Sequence, residues 1–223
     1  FKITIQAGED NKNLDTNPTE ILFLIDGSKS VESERFEEFK EGIIKSLAML
    51  NEGDLFNIVV FKELIFEFKE ESVQANSDII EEAEKFLKKF RSAEKTDAFE
   101  VLTKAISQQA NRSPSYLILL SDGRPTKGIT NAREVINKIS DHNNGQKAIF
   151  TLSGGLRVNR YLLDFIAYRN RGWSEYSYRS NLISDQVAKL YEKIDDPIIL
   201  NLRYYLSGVD DRETFPTILP DFF

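Results

Sequence analysis

The 223-residue chain contains no cysteine, which excludes disulfide bridges, a thiol nucleophile and cysteine-ligated zinc while leaving the redox compartment open. It has a single histidine, His142. Any serine hydrolase relay must pass through that residue, and Asp141-His142-Asn143-Asn144-Gly145 reads as a solvated, helix-ending loop, so this chemistry is disfavoured. No apolar run approaches the roughly 20 residues that a bilayer span needs. The first residues, Phe1-Lys2-Ile3-Thr4-Ile5, alternate as a strand does and do not form the apolar core of a targeting peptide. On this reading the chain neither crosses a membrane nor directs itself to one. Positive charge is also in short supply: 29 Lys and Arg against 36 Asp and Glu leave a formal charge of -7, the wrong sign for a general nucleic-acid binder and better suited to a cation. What is present, 41% hydrophobic and 11% aromatic residues, suffices for a folded core.

Ile21-Leu22-Phe23-Leu24-Ile25 is a continuous apolar run, too short for a helix and ended by Asp26-Gly27-Ser28, as in a strand covered on both faces. Phe36, Phe39, Ile43, Leu47 and Leu50 then recur three or four apart and predict an amphipathic helix up to Gly53. A second buried strand follows at Leu55 to Phe61, and Leu64 to Phe68 alternates like a hairpin partner at a sheet edge. Further helices are predicted from Ile79, Ala83, Phe86 and Phe90, from Ala98, Val101, Leu102 and Ala105, and from Ala132, Val135 and Ile139. Strands are predicted at Tyr116 to Leu120 and Ala148 to Leu152, a short one at Trp173 to Tyr178, and helices at Arg160 to Tyr168 and Ser184 to Ile194. Asp196-Pro197 stops the last helix and Ile198 to Leu206 reads as another strand.

Strands alternating with amphipathic helices predict an α/β, doubly wound, Rossmann-like domain: a mostly parallel sheet, one antiparallel edge strand, and helices on both faces. No repeat or Pro/Gly linker divides it. The organisation expected is a strand-like extension over 1–19, the domain over 20–195, and a second strand-like extension over 196–223 in a piece cut from a larger chain. Within these extensions Phe1 to Ala7 and Ile198 to Leu206 are strand-like and are expected to pair with each other.

In such sheets ligands bind outside the carboxyl ends of the strands, where the strand order reverses. The first strand ends Asp26-Gly27-Ser28-Lys29-Ser30 and the fourth predicted strand ends Ser121-Asp122-Gly123. Two carboxylates and several hydroxyls meeting there make an oxygen-rich pocket in which the acids repel unless a cation lies between them. Hard divalent ions, Mg²⁺ above all, suit that donor set. Asp-Gly-Ser by itself is the ordinary vocabulary of a turn before a helix; Asp122, and Thr96-Asp97 opening a helix between the two strand ends, shift the balance toward a site.

These residues resemble the von Willebrand factor A (VWA) domain with its metal-ion-dependent adhesion site, abbreviated MIDAS. The D-x-S-x-S motif matches Asp26, Ser28 and Ser30, the helix-opening threonine matches Thr96, and the third motif matches Asp122-Gly123. Asp122-Gly-Arg-Pro-Thr-Lys-Gly128 resembles the form in inter-alpha-trypsin-inhibitor heavy chains, and Leu219-Pro220-Asp221-Phe222-Phe223 resembles the L-P-D-L-F stretch that follows the domain in proteins with an upstream inter-alpha-trypsin (VIT) domain. The resemblance implies that Ser28, Ser30 and Thr96 give hydroxyl oxygens to Mg²⁺ (or Mn²⁺ or Ca²⁺), that Asp26 and Asp122 hold its waters or ligate it, and that a protein partner's carboxylate completes the site. It also implies an adhesion or protein-binding module, no enzyme, at an extracellular, cell-surface or periplasmic location. Lys29 departs from the usual glycine between the serines, and Glu94-Lys95 from the glycines before the threonine.

Two other readings compete. A haloacid-dehalogenase-like phosphatase also places Asp at the end of a first buried strand beside Mg²⁺, yet Ser28 stands where that family carries its second Asp. A VWA domain can also serve inside cells as an assembly module of chelatase-type ATPase complexes, for which no Walker motif is present. Arg157, Arg160, Arg169, Arg171 and Arg179 read as scattered surface charge, with an anion-binding patch as the alternative. Trp173, Tyr176 and Tyr178 read as packing under the last helix, Glu67 to Glu71 as a solvated strand end, and Asn111-Arg112-Ser113 as a glycosylation sequon by pattern only, followed by Pro114.

Overall fold

The computed structural model describes residues 18–62, 64–92, 103–104, 106, 114–125, 128–195, 202, 208 and 219–221. The first buried run forms β1 (Glu20–Asp26), all of whose residues are buried. After a short 3-10 turn, Lys29–Val31, comes α1 (Ser33–Leu47), then β2 (Leu55–Phe61), β3 (Ile65–Glu67), β4 (Val73–Gln74) and α2 (Ser77–Lys88). The second half contains β5 (Ser115–Leu120), α3 (Ala132–Asn143), β6 (Ala148–Gly154), α4 (Arg160–Arg169), β7 (Ser174–Ser177) and α5 (Ile183–Ile194). Thr103, Lys104 and Ile106 are helical; the rest of the helix predicted over 98–105, and the strands predicted at 1–7 and 198–206, lie outside the described residues.

Among the described residues the sheet has seven strands in the order β3-β2-β1-β5-β6-β7, with β4 also on β2. Pairs β1–β2, β1–β5, β5–β6 and β6–β7 are parallel, and β3 and β4 are antiparallel to β2. The antiparallel edge is thus built in two pieces, and β4, only two residues long, is too short to show a period in sequence. Consecutive parallel strands need a crossover that returns the chain to the same end, which is why helices separate them and why the chain first winds one way from β1 and then the other. The reversal falls between β1 and β5.

Alternation along each strand sorts the core into two layers. Ile21, Phe23, Ile25, Phe56, Ile58, Tyr116, Ile118 and Phe150 pack with α1, α2 and α5 on one face. Leu22, Leu24, Val59, Leu117, Leu119 and Ile149 pack with α3 and α4 on the other. Asparagine starts three of the helices: the side chains of Asn76, Asn131 and Asn159 accept from the amides of Ile79, Glu134 and Leu162 at 3.0, 3.1 and 3.2 Å, which satisfies amides that no helical carbonyl can reach. His142 is exposed in the last turn of α3, which ends at Asn144 in the left-handed conformation, φ 44°.

The three aromatic residues expected under the last helix divide. Trp173 packs edge-on against Phe150, ring centres 4.6 Å apart, on the α5 side. Tyr176, an odd number of residues further on, turns to the opposite layer, where its hydroxyl donates to Asp164 Oδ1 at 2.6 Å. Tyr178 lies past the end of β7 and is 93% exposed.

Helices α1 and α5 cross at Gly42. A Cβ placed there would lie 2.6 Å from Val187 Cβ, a position that real carbon atoms do not share. Gly42→Ala is expected to lower stability by about 1–3 kcal/mol in denaturant unfolding despite the better helix propensity of alanine, because the two helices must move apart. Measured in a Val187→Gly background, where the Cβ that the new methyl meets is gone, Gly42→Ala should cost less than it does in the parent chain; an undiminished cost there would show that the contact is not the cause.

Candidate metal centre

Asp26 is the last residue of β1, and Ser121-Asp122 follow directly on β5; since Ile25 pairs with Leu120 in parallel register, the two acids emerge side by side at the carboxyl end of the sheet. Asp26, Ser28, Ser121 and Asp122 are all buried, Asp122 completely. Asp26 has both oxygens occupied: Oδ1 accepts from the Ser28 amide at 3.0 Å and Oδ2 from the Ser121 hydroxyl at 2.6 Å. Ser121 in turn accepts from the Gly123 amide at 3.0 Å, so one hydroxyl ties the two strand ends together. The Ser28 and Ser30 hydroxyls are 2.9 Å apart. Lys29 between them is exposed.

Asp122 differs from Asp26. Its Oδ1 accepts from the Arg124 amide at 3.0 Å, while Oδ2 is buried without a hydrogen-bond partner among the described residues. Leaving a buried carboxylate oxygen unpaired costs free energy that a ligand would recover. The backbone allows the arrangement through Gly123, at φ 67°, where a Cβ would lie 2.8 Å from the Asn159 carbonyl oxygen; the Asn159 amide donates to the Asp122 carbonyl at 2.8 Å, docking the loop after β6 onto this acid.

Burial, and then the neighbouring Asp122 carboxylate, push the Asp26 carboxyl up to about 6 from its ordinary 3.8, against the opposing bonds from Ser121 and Ser28. Burial also raises Asp122, opposed by the Arg124 amide, Ser30, and the Arg35 and Arg124 charges. Two buried acids thus share one place with less compensation than their charges need. Among the described residues no group of three or more His, Asp or Glu gathers at one point. A cation here must therefore lean on hydroxyls as well as acids, and the free Asp122 Oδ2 with the Ser28 and Ser30 hydroxyls is a hard-oxygen donor set suited to a divalent ion.

The structure brings together four of the five residues expected at the site, Asp26, Ser28, Ser30 and Asp122; Thr96 lies outside the described residues. Two contributors were not singled out from sequence. Ser121 had only its place beside Asp122 to mark it. Arg35 is buried and donates from Nη2 to the Leu156 carbonyl at 2.7 Å, with Nε and Nη1 lacking hydrogen-bond partners among the described residues; its signal was a charge directly beside Phe36 on the inward stripe of α1. The five arginines read as scattered are sorted as well. Arg171 is buried and its Nη1 donates to both Asp221 carboxylate oxygens, at 2.8 and 2.9 Å, Arg169 bonds Asn137 on α3, and Arg160 lies over the Tyr176 ring at 4.5 Å. Arg157 and Arg179 remain exposed.

Fold and site together define a doubly wound α/β domain with a carboxylate and hydroxyl cluster at its topological switch point. A family model for the von Willebrand factor type A domain matches residues 19–176, and the chain belongs to that family. It is similar to inter-alpha-trypsin inhibitor heavy chain H1 of Sus scrofa, 27% identical over 210 residues that cover 89% of this chain and 23% of that one. The chain thus spans about a quarter of the length of the curated relatives it matches. Among solved structures, a von Willebrand factor type A protein from Catenulispora acidiphila superposes with a TM-score of 0.73 at 15% identity, over 83% of this chain and 44% of that one. Proximal thread matrix protein 1 from the mussel byssus, in a form with a zinc-occupied MIDAS motif, superposes with a TM-score of 0.59 at 18% identity, over 79% and 46% of the two chains.

With divalent ions chelated, the charge on Asp26 should weaken the fold. Its folded-state pKa, about 6, lies above the ordinary 3.8, so the cost is fully present above pH 6 and is relieved as pH falls through 6 toward 4. The difference corresponds to on the order of 3 kcal/mol at neutral pH. Asp26→Asn, unfolded by denaturant in EDTA, is therefore expected to exceed the parent chain by about 1–3 kcal/mol at pH 7.5, with the gap closing toward pH 4. A gap that widens on acidification would contradict this account of the site.

Proposed function

We propose that this domain is a metal-dependent protein-binding module in which a divalent ion at the carboxyl ends of β1 and β5 links the domain to an acidic group of a partner. The observation that carries this reading is the buried Asp122 Oδ2, without a hydrogen-bond partner among the described residues, beside a second buried carboxylate and two serine hydroxyls. A bound Mg²⁺, Mn²⁺ or Ca²⁺ would supply an electrophilic coordination position for a partner's carboxylate. Ser28 and Ser30 hold hydroxyl oxygens toward it, with Thr96 as the third hydroxyl on the motif match. Asp122 offers Oδ2. Asp26, with both oxygens already accepting hydrogen bonds, balances charge and fixes the orientation of Ser121 and the Ser28 turn from one layer further out. Support for an ion of this kind also comes from the mussel byssus protein, whose MIDAS motif holds zinc.

The same inventory argues against catalysis. The residue two past Asp26 is a serine hydrogen-bonded to another serine, with no second aspartate to act as acid or base, and the one histidine sits exposed at the end of α3.

Isothermal calorimetry with Mg²⁺ or Mn²⁺ is expected to show one site, weakened about 10–100-fold or lost in Asp26→Ala and Asp122→Ala. Ser28→Ala and Thr96→Ala should lower metal affinity without unfolding the domain. Unchanged binding in both aspartate variants would remove the assignment. Phosphomonoester hydrolysis above background that disappears in Asp26→Asn would replace adhesion with catalysis.

A further inference from the structure

The carboxyl end of the sheet carries more than the two acids. β6 and β7 run parallel to β5, so the loops that leave them at 155–159 and 178–182 emerge at the same end as Asp26 and Asp122. These loops hold the most exposed large apolar side chains among the described residues, Leu156 at 85% and Tyr178 at 93%. Each is followed by an exposed arginine, Arg157 and Arg179. Neither arginine makes a salt bridge among the described residues, whereas the other three arginines of the set are engaged elsewhere in the fold.

These loops are held in place. The Gly155 amide donates to the Ser177 carbonyl at 3.3 Å and the Asn159 amide to the Asp122 carbonyl at 2.8 Å. The buried Arg35 grips the Leu156 carbonyl at 2.7 Å, and the Ser177 hydroxyl donates to the Arg179 carbonyl at 2.7 Å. Arg157 itself is kept at φ 59°, a conformation that costs a non-glycine residue free energy and collects at functional sites. Two apolar side chains pushed into solvent by a pinned backbone, each beside an exposed arginine with no ion pair among the described residues, on a chain of net charge -7, are complementary to an acidic, partly apolar segment.

We propose that Leu156, Arg157, Tyr178 and Arg179 form a second docking platform beside the metal centre, for an acidic peptide segment that carries a large apolar side chain near its carboxylates. The inference rests on the metal-bridged reading and adds to it: one carboxylate of the partner meets the ion, further carboxylates meet Arg157 and Arg179, and the apolar side chain seats on Leu156 and Tyr178. The bonded path from Asp122 through Asn159 to Leu156 keeps the platform in a constant relation to the metal centre.

The test is a selection of phage-displayed linear peptides on the immobilised chain in excess Mg²⁺, followed by calorimetry with one synthetic peptide from the selected set. Enriched sequences are expected to combine Asp or Glu with Leu, Ile, Phe or Trp a few residues away. Peptide affinity should fall about tenfold or more in Arg157→Glu/Arg179→Glu and in Leu156→Ser/Tyr178→Ser, while Mg²⁺ affinity stays as in the parent. All four side chains are exposed, so these variants should fold. Selections that yield no acidic sequence, or a peptide indifferent to both double variants, would overturn the platform. A peptide that loses affinity in the double variants yet binds equally well in EDTA and to Asp122→Ala would uphold the platform and remove the metal bridge.

Discussion

Two carboxylates forced together at the ends of neighbouring parallel strands govern the rest of this structure. β1 and β5 pair in parallel at the point where the winding of the sheet reverses, so Asp26 and Asp122 cannot separate without unpairing the centre of the sheet. Burial makes their charges costly, and the surrounding groups offset only part of that cost: two donors serve Asp26, the Arg124 amide serves Asp122 Oδ1 while Ser30 and the Arg35 and Arg124 charges also favour its ionised form, and Oδ2 is buried without a hydrogen-bond partner among the described residues. A buried acid left in that condition in the middle of a well-packed domain lowers the stability of the metal-free fold.

The surrounding architecture is what allows such a site to persist. Both faces of the sheet are covered, and the two strands that carry the acids are apolar and buried from Ile21 to Ile25 and from Tyr116 to Leu120. The acids therefore sit on a rigid floor, and two of the strained backbone positions lie in the turns above it. Glu32 and Arg157 are held at positive φ, 66° and 59°, in the loops after β1 and β6. Arg35 works between these loops: it reaches from the first turn of α1 to the Leu156 carbonyl, and its charge favours the ionised form of Asp122. The carboxylate pair and the exposed loop after β6 thus share one buried guanidinium.

Much of this was legible in the chain itself. The strands hold continuous apolar runs at 21–25, 58–61, 116–120 and 148–150 because both sides of a central parallel strand are buried, and the helices carry their inward stripe in plain view. Four residues of the candidate site could be named because Asp-x-Ser-x-Ser and Asp-Gly sit directly behind such runs. Less could be read where the signal is short or depends on a partner distant in sequence. β4 spans two residues. Arg171 looked like one of several surface arginines until its pairing with Asp221, fifty residues later, was seen. Trp173 and Tyr176 looked alike, yet strand alternation sends them to opposite layers.

The sequence by itself determined the element order, the doubly wound class and the identity of the acids and hydroxyls at the strand ends, because periodicity and strand-terminal composition are local properties. Tertiary structure alone decided that both Asp26 oxygens accept hydrogen bonds while Asp122 Oδ2 has no partner among the described residues, that Ser121 bridges the two strand ends, and that Leu156 and Tyr178 stand exposed at the same end as the acids. Each of these depends on which chain segments become neighbours across the sheet, and on which atoms burial then leaves without a partner; neither is encoded in the spacing of residues along one strand.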